Sequence, residues 1–185
     1  AIALALSASG LALGYFWDDF YFLTGALADP LTYVRPTVGA TFYRPIPQGL
    51  YFLFLTWLGS WGALAGHVIN WAVLALSTFL LGNLATRLGG RKAGLFTAIA
   101  FAALGAVPTL VVWTSCSQDL FAIAFFLGAL HMRDRGRIVL SGALALAALL
   151  SKETVVSLFP VLVLWDWLVG RKPAKILPHA LLFGV

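Results

Sequence analysis

Apolar runs fall at about 1–16, 46–58, 66–86, 93–112, 117–132, 138–150, 154–169 and 176–185, and short polar clusters separate them. Runs of this length and character predict helices that cross or lie on a membrane. Three separators are strongly basic: RLGGRK (Arg87, Arg91, Lys92), RDRGR (Arg133, Arg135, Arg137) and GRKPAK (Arg171, Lys172, Lys175) hold nine of the twelve Lys and Arg residues. The excess of basic residues in cytoplasmic loops puts all three on the cytoplasmic side. An even number of crossings then separates each pair of loops. The hairpin of 93–112 and 117–132 turns at VVWTSCSQD, and that of 138–150 and 154–169 turns at SKE.

The run at 46–58, IPQGLYFLFLTWL, is too short to cross, since a helix needs about 20 residues to span about 30 Å of hydrocarbon. If it crossed, RLGGRK would lie outside. It is expected to be a juxtamembrane helix, and residues 17–65 one large extracytoplasmic loop. The predicted fold class is an all-α polytopic transmembrane bundle, with spans at about 1–16, 66–86, 93–112, 117–132, 138–150, 154–169 and 176–185.

Composition fits this pattern. The 185 residues are 61% hydrophobic and 10% charged, with a mean hydropathy of +0.94, against about 25% charged in soluble domains. The net charge of +5 resides mostly in the loops, and no nucleic-acid-binding element accompanies it. Cys116 is the only cysteine, so no intrachain disulfide forms. Ala1 opens inside an apolar run without a basic leader or cleavage site, and HALLFGV ends inside another. The chain therefore reads as a single N-terminal piece, over 1–185, of a longer transmembrane domain whose first span is truncated.

The inferred topology gathers Asp18, Asp19, Asp29, Asp119 and Glu153 on the extracytoplasmic side with Arg35, Arg44 and Lys152, and leaves Asp134 and Asp166 near the cytoplasmic side. Asp18 and Asp19 interrupt the aromatic stretch YFWDDFYFL. A carboxylate against apolar walls suits proton transfer, although an acidic pair can also be a solvated helix end. Neighbours on a helix point about 100° apart, so one base and one helper or metal ligand is expected. The sequence favours Asp19 over Asp18 only slightly as the base. Arg44, in FYRPIPQGL, presents a fixed fork of donors at headgroup depth, suited to phosphate or simply snorkelling. Lys152 and Glu153 join two short apolar halves and so lie in a recess, as functional groups or as a mutual or cross-helix ion pair that neutralises both. Asp119 opens a span where negative charge is favoured, with Ser115 or Ser117 as its N-cap. His67 and Asn70 share a helix face, where His67 reads more readily as a hydrogen-bonded packing residue than as a ligand. An acidic base, two cations and aromatic walls suit a reaction between a lipid-borne phosphate ester and an acceptor hydroxyl.

The ordered signposts WDDF, YRPIPQ, GHVIN, VVWTSCSQDLFAIAFFLGAL and LLSKETVV, which cover most of 15–165, resemble the GT-C superfamily of membrane glycosyltransferases, and within it the O-mannosyltransferase-like proteins. The resemblance implies a polyprenyl-phosphate-linked sugar donor, inverting transfer on the extracytoplasmic face, and a catalytic acid at Asp18 or Asp19. Arg44 and Lys152 are expected to hold the donor phosphate, with Glu153, Asp119 and His67 in support. The expected partners are that lipid-linked sugar, an acceptor protein, lipid or glycan, and the bilayer, here that of a bacterial inner (plasma) membrane. No organic cofactor is called for, and a divalent metal is left open. The rival readings are a polytopic transporter, whose unusual charges should line the midplane, and a non-catalytic membrane assembly subunit.

Overall fold

A computed structural model describes residues 11–36 and 42–170. The expected first span over 1–16 lies largely outside the described residues. The span over 176–185 and the basic cluster of Arg171, Lys172 and Lys175 lie wholly outside them. Among the described residues all regular structure is helical: α1 (Asp18–Ala28), α2 (Phe52–Trp57), α3 (Gly62–Ala102), α4 (Val107–Val112), α5 (Ser117–Asp134), α6 (Ile138–Leu149) and α7 (Phe159–Leu168). A π-helical turn, Pro45–Tyr51, leads directly into α2.

Two of the described helical segments, Gly59–Ala102 and Thr114–Asp134, are long and apolar enough to cross a membrane. The first is a hairpin. Gly90 adopts φ 77° and ψ 178°, a conformation open essentially to glycine alone, and the chain doubles back there. The arms at 62–89 and 91–102 then pack through small residues. A Cβ on Gly94 would stand 2.6 Å from the Gly82 carbonyl oxygen and collide with the Thr86 hydroxyl, and one on Gly82 would stand 3.2 Å from the Ala98 Cβ. At about 1.5 Å per residue the first arm is about 42 Å long and the second about 18 Å.

The return expected as a single run over 93–112 is therefore made in two pieces. Its helix ends at Ala102, and the chain re-forms a helix only at Val107. Pro108, which donates no backbone N–H, sits in the first turn of α4, a position that tolerates it. The expected run at 154–169 is likewise divided, into a 3₁₀ turn over Glu153–Leu158 and then α7. The run at 46–58 is two short helical pieces that bury Tyr51, Phe52 and Leu55 against α1 and α3.

The core lies where α3, α5, α6 and α7 meet, with Leu84, Phe126, Leu127, Leu130, Leu162 and Trp165 in one cluster. Buried polar groups fasten this apolar seam. The Ser141 hydroxyl donates to the Ala129 carbonyl (2.8 Å), and His131 Nε2 lies 3.1 Å from the Leu80 carbonyl oxygen.

Charge marks the two ends of the helices. At one end Arg87, on the turn of the α3 hairpin, pairs with Asp134 at 3.2 Å. Next to it Arg133 forms a fully buried ion pair with Asp166 of α7. Two of the three basic loops and both acids expected beside them thus share one end, the basic end. The N-terminal turn of α5 lies about 24 Å away along the helix, and the remaining acids and cations of the candidate chemistry gather around it.

Candidate functional site

Trp17 is the only non-glycine residue with positive φ among the described residues (φ 45°, ψ −109°). Such backbone costs about 1–3 kcal/mol and persists only where the surroundings impose it. Here it swings the chain into α1 so that the two neighbouring aspartates part company. Asp18 is exposed and has no partner among the described residues, whereas Asp19 is completely buried. Asp19 Oδ2 accepts the backbone N–H of Phe16 (2.9 Å), while Oδ1 accepts both the N–H (2.7 Å) and the hydroxyl (2.5 Å) of Ser115. It thereby ties the start of α1 to the turn at Thr114–Cys116, 96 positions away.

The preference for Asp19 as the base does not fit this geometry. Three of its roughly four acceptor sites are taken by backbone and hydroxyl donors, and it is completely buried. Asp18 is the member of the pair that is open to solvent. Ser115, expected as an N-cap of α5, instead serves Asp19. The cap position is Cys116, with no side-chain cap hydrogen bond.

Arg44 leads into the π-helical turn, where Pro45 holds the backbone. Its guanidinium lies 4.3 Å from the Phe42 ring centroid, a cation–π contact. The fork grips Glu153 with two bonds, Nε to Oε2 (2.7 Å) and Nη2 to Oε1 (2.5 Å), and Nη1 donates to Gln118 Oε1 (2.5 Å). Lys152 pairs with Asp119. The structure therefore brings Arg44, Lys152, Glu153 and Asp119 together, but as two cross-segment ion pairs that leave neither cation bare. The Arg44 hydrogen bond is the main cause holding the Glu153 carboxyl below the usual carboxylate range. Asp18, Asp19, Asp119 and Lys152 all lie within electrostatic reach of the Cys116 thiol, at the same end of α5.

His67 and Asn70 are completely buried and act as fasteners. The His67 ring nitrogens lie 3.0 Å from the carbonyl oxygens of Val111 (Nδ1) and Leu13 (Nε2). Asn70 donates to the carbonyls of Leu110, Trp113 and Thr114, and accepts the Tyr51 hydroxyl at 3.0 Å. Together they clamp the segment 110–114 across the top of α3. Burial, then the charges of Asp19 and the Tyr15 hydroxyl, push the Tyr51 phenol well above its ordinary value.

Gln118 and Tyr51 are neighbours that residue-by-residue reasoning passed over, and the sequence singles out Ser115 and Asn70 without their bonds to Asp19 and Tyr51. The signal that could have found Gln118 is the polar density of TSCSQD in an otherwise apolar tip. Around this tip Tyr15, Trp113, Thr114 and Ser117 each bury a polar side-chain atom without a hydrogen-bond partner among the described residues. No group of three or more His, Cys, Asp or Glu that could hold a metal ion occurs among the described residues. Comparison with protein-family models, with curated proteins and with solved structures finds no match for this chain.

Proposed function

We propose that the protein is part of a multi-pass membrane glycosyltransferase that moves a sugar from a polyprenyl-phosphate donor to an acceptor hydroxyl at the end of the helices remote from the basic loops. The observation that carries this reading is convergence. The WDDF, YRPIPQ, TSCSQD and SKE segments, far apart in sequence, are stitched into one site by Asp19–Ser115, Arg44–Glu153, Arg44–Gln118 and Lys152–Asp119. Exposed aromatic side chains surround it, among them Phe16, Trp17, Phe20 and Tyr21. Trp57 and Trp61 stand exposed at the same end and Trp167 near the other, as anchors at two membrane interfaces do.

On this reading Asp18 takes the proton of the acceptor hydroxyl as its oxygen attacks the anomeric carbon. The bond from that carbon to the phosphate oxygen breaks, the phosphate leaves with the electron pair, and the configuration inverts. Asp19 positions Asp18 by fixing the start of α1. The donor phosphate replaces Glu153 at the Arg44 fork; Glu153 is 47% exposed and free to swing into water. Lys152 exchanges Asp119 in the same way. The buried hydroxyl and indole groups without partners are donors and acceptors that a sugar can satisfy.

A second reading, a membrane subunit without chemistry, is favoured by the completed ion pairs, which neutralise both cations without any ligand. Membranes carrying the full-length protein, incubated with radiolabelled polyprenyl-phosphate sugars and candidate acceptors, separate the two. Label appearing in acceptor supports the enzyme. Donor that stays intact through prolonged incubation supports the subunit.

A further inference from the structure

A cavity of about 450 Å³ opens along the α3 hairpin, far from the site just described. Its lining changes along the helix axis: Arg91 stands at the turn, Thr86, Asn83 and Leu95 come next, and Leu74, Phe79 and Ala98 are among the side chains that line the rest, where the Thr78 hydroxyl is used by the Leu74 carbonyl. Asn83 is exposed and its side chain makes no hydrogen bond among the described residues, although it sits in a long apolar arm. The Thr86 hydroxyl is already used by the Gly82 carbonyl, at 2.8 Å. Arg91 is exposed, as is Lys92 beside it, and neither has a partner among the described residues.

An unpartnered amide within an apolar membrane helix is costly unless something meets it. Asn83 lies about 10 Å along the axis from the Gly90 turn, and Arg91 is at the turn itself. A cation at the surface, an amide donor about two turns deeper and an apolar channel beyond reproduce, in order, what a glycerophospholipid presents: phosphate, ester carbonyls and acyl chain. We propose that this groove binds one anionic glycerophospholipid, with its phosphate on Arg91, its ester region on the Asn83 amide and an acyl chain along Phe79, Ala98 and Leu74. Charge complementarity selects the occupant. The turn RLGGRK carries three cations, of which, among the described residues, only Arg87 is matched, by Asp134, and basic pockets at such a helix end suit anionic headgroups.

The inference rests on the reading that α3 lies in a bilayer, which alkaline carbonate extraction of membranes checks separately. Release of the full chain into the supernatant would remove that reading whatever lipid binds. For the groove itself, the full chain in non-ionic detergent is titrated with dioleoyl phosphatidylglycerol or dioleoyl phosphatidylcholine, and lipid adducts are read by native mass spectrometry. Phosphatidylglycerol adducts should form at concentrations where phosphatidylcholine adducts do not. Arg91→Gln should weaken them about fivefold, the effect of one basic residue near an anionic surface, while Arg91→Lys retains most of the affinity. Asn83→Leu should weaken them about threefold, as the loss of one ordinary hydrogen bond does. Inorganic phosphate at millimolar concentration should not displace the lipid, because the acyl chain supplies part of the binding. Equal adducts with the two lipids, indifference to Arg91→Gln, or displacement by inorganic phosphate would each overturn the proposal.

Discussion

Replacing Asp19 with Asn tests the separation of roles within the aspartate pair. The side chain is completely buried and accepts three hydrogen bonds, one on Oδ2 and two on Oδ1. An amide has the same shape but one oxygen. If that oxygen faces Ser115, the amide NH₂ meets the Phe16 N–H, donor against donor, and that N–H is left unsatisfied at a cost of about 1–3 kcal/mol. The two Ser115 bonds survive but lose their charge-assisted character, about 1 kcal/mol between them or somewhat more. The sum is about 3 kcal/mol, which for a chain of this size lowers Tm by about 6–12 °C. Asp18→Asn, at an exposed side chain without partners, should stay within about 0.5 kcal/mol of the parent. Thermal unfolding of detergent-solubilised protein, followed by circular dichroism, makes the comparison. In a double-mutant cycle Asp19→Asn and Ser115→Ala should couple, because both act on the same bond. Equal melting temperatures for the parent and Asp19→Asn would refute the fastening role.

Arg44→Lys keeps the charge but loses the fork to Glu153 and Gln118, so donor use measured as label transfer should fall about tenfold or more, with the fold retained by circular dichroism. The Glu153 carboxyl lies below the usual carboxylate range because Arg44 bonds it, so the tie between 42–51 and 153–158 contributes fully above that range and is lost as pH falls through the depressed value. Hydrogen-exchange protection in 45–51, taken relative to the intrinsic rate at each pH, should therefore be steady from neutral pH down to about the ordinary carboxylate value and fall only below it, and Glu153→Gln should abolish that pH-dependent fall. Gly94→Ala would drive a methyl into Thr86 and the Gly82 carbonyl, and should cost about 1–3 kcal/mol in unfolding measurements by forcing the hairpin arms apart.

Sequence reading reached the ends of the molecule more readily than its interior. Charges punctuate the apolar runs, and a helix carries whatever punctuates it to one end or the other. Arg87 with Asp134 and Arg133 with Asp166 accordingly lie apart from Arg44, Lys152, Asp119 and Glu153. The rotation of α1 was not legible. It depends on the positive φ of Trp17 and on the Ser115 amide, and no local pattern near residue 18 announces either. For Lys152 and Glu153 the cross-helix alternative to a mutual pair is the one observed, because successive residues leaving a helix end face different ways: Glu153 reaches Arg44 while Lys152 reaches Asp119, and no local pattern in the sequence names either partner. The break at 103–106 in the run expected over 93–112 could have been suspected from Gly105 and Pro108. His67 behaves as the packing residue its position suggested, with carbonyl oxygens at both ring nitrogens.

Turnover of Asp18→Asn on a radiolabelled polyprenyl-phosphate sugar, with the full-length protein in membranes and donor binding measured in parallel, tests the central claim most directly. A general base contributes about 10²–10⁴-fold, so the account predicts a loss of that order in transfer with donor affinity and melting temperature unchanged. Near-full transfer by folded Asp18→Asn protein would contradict it.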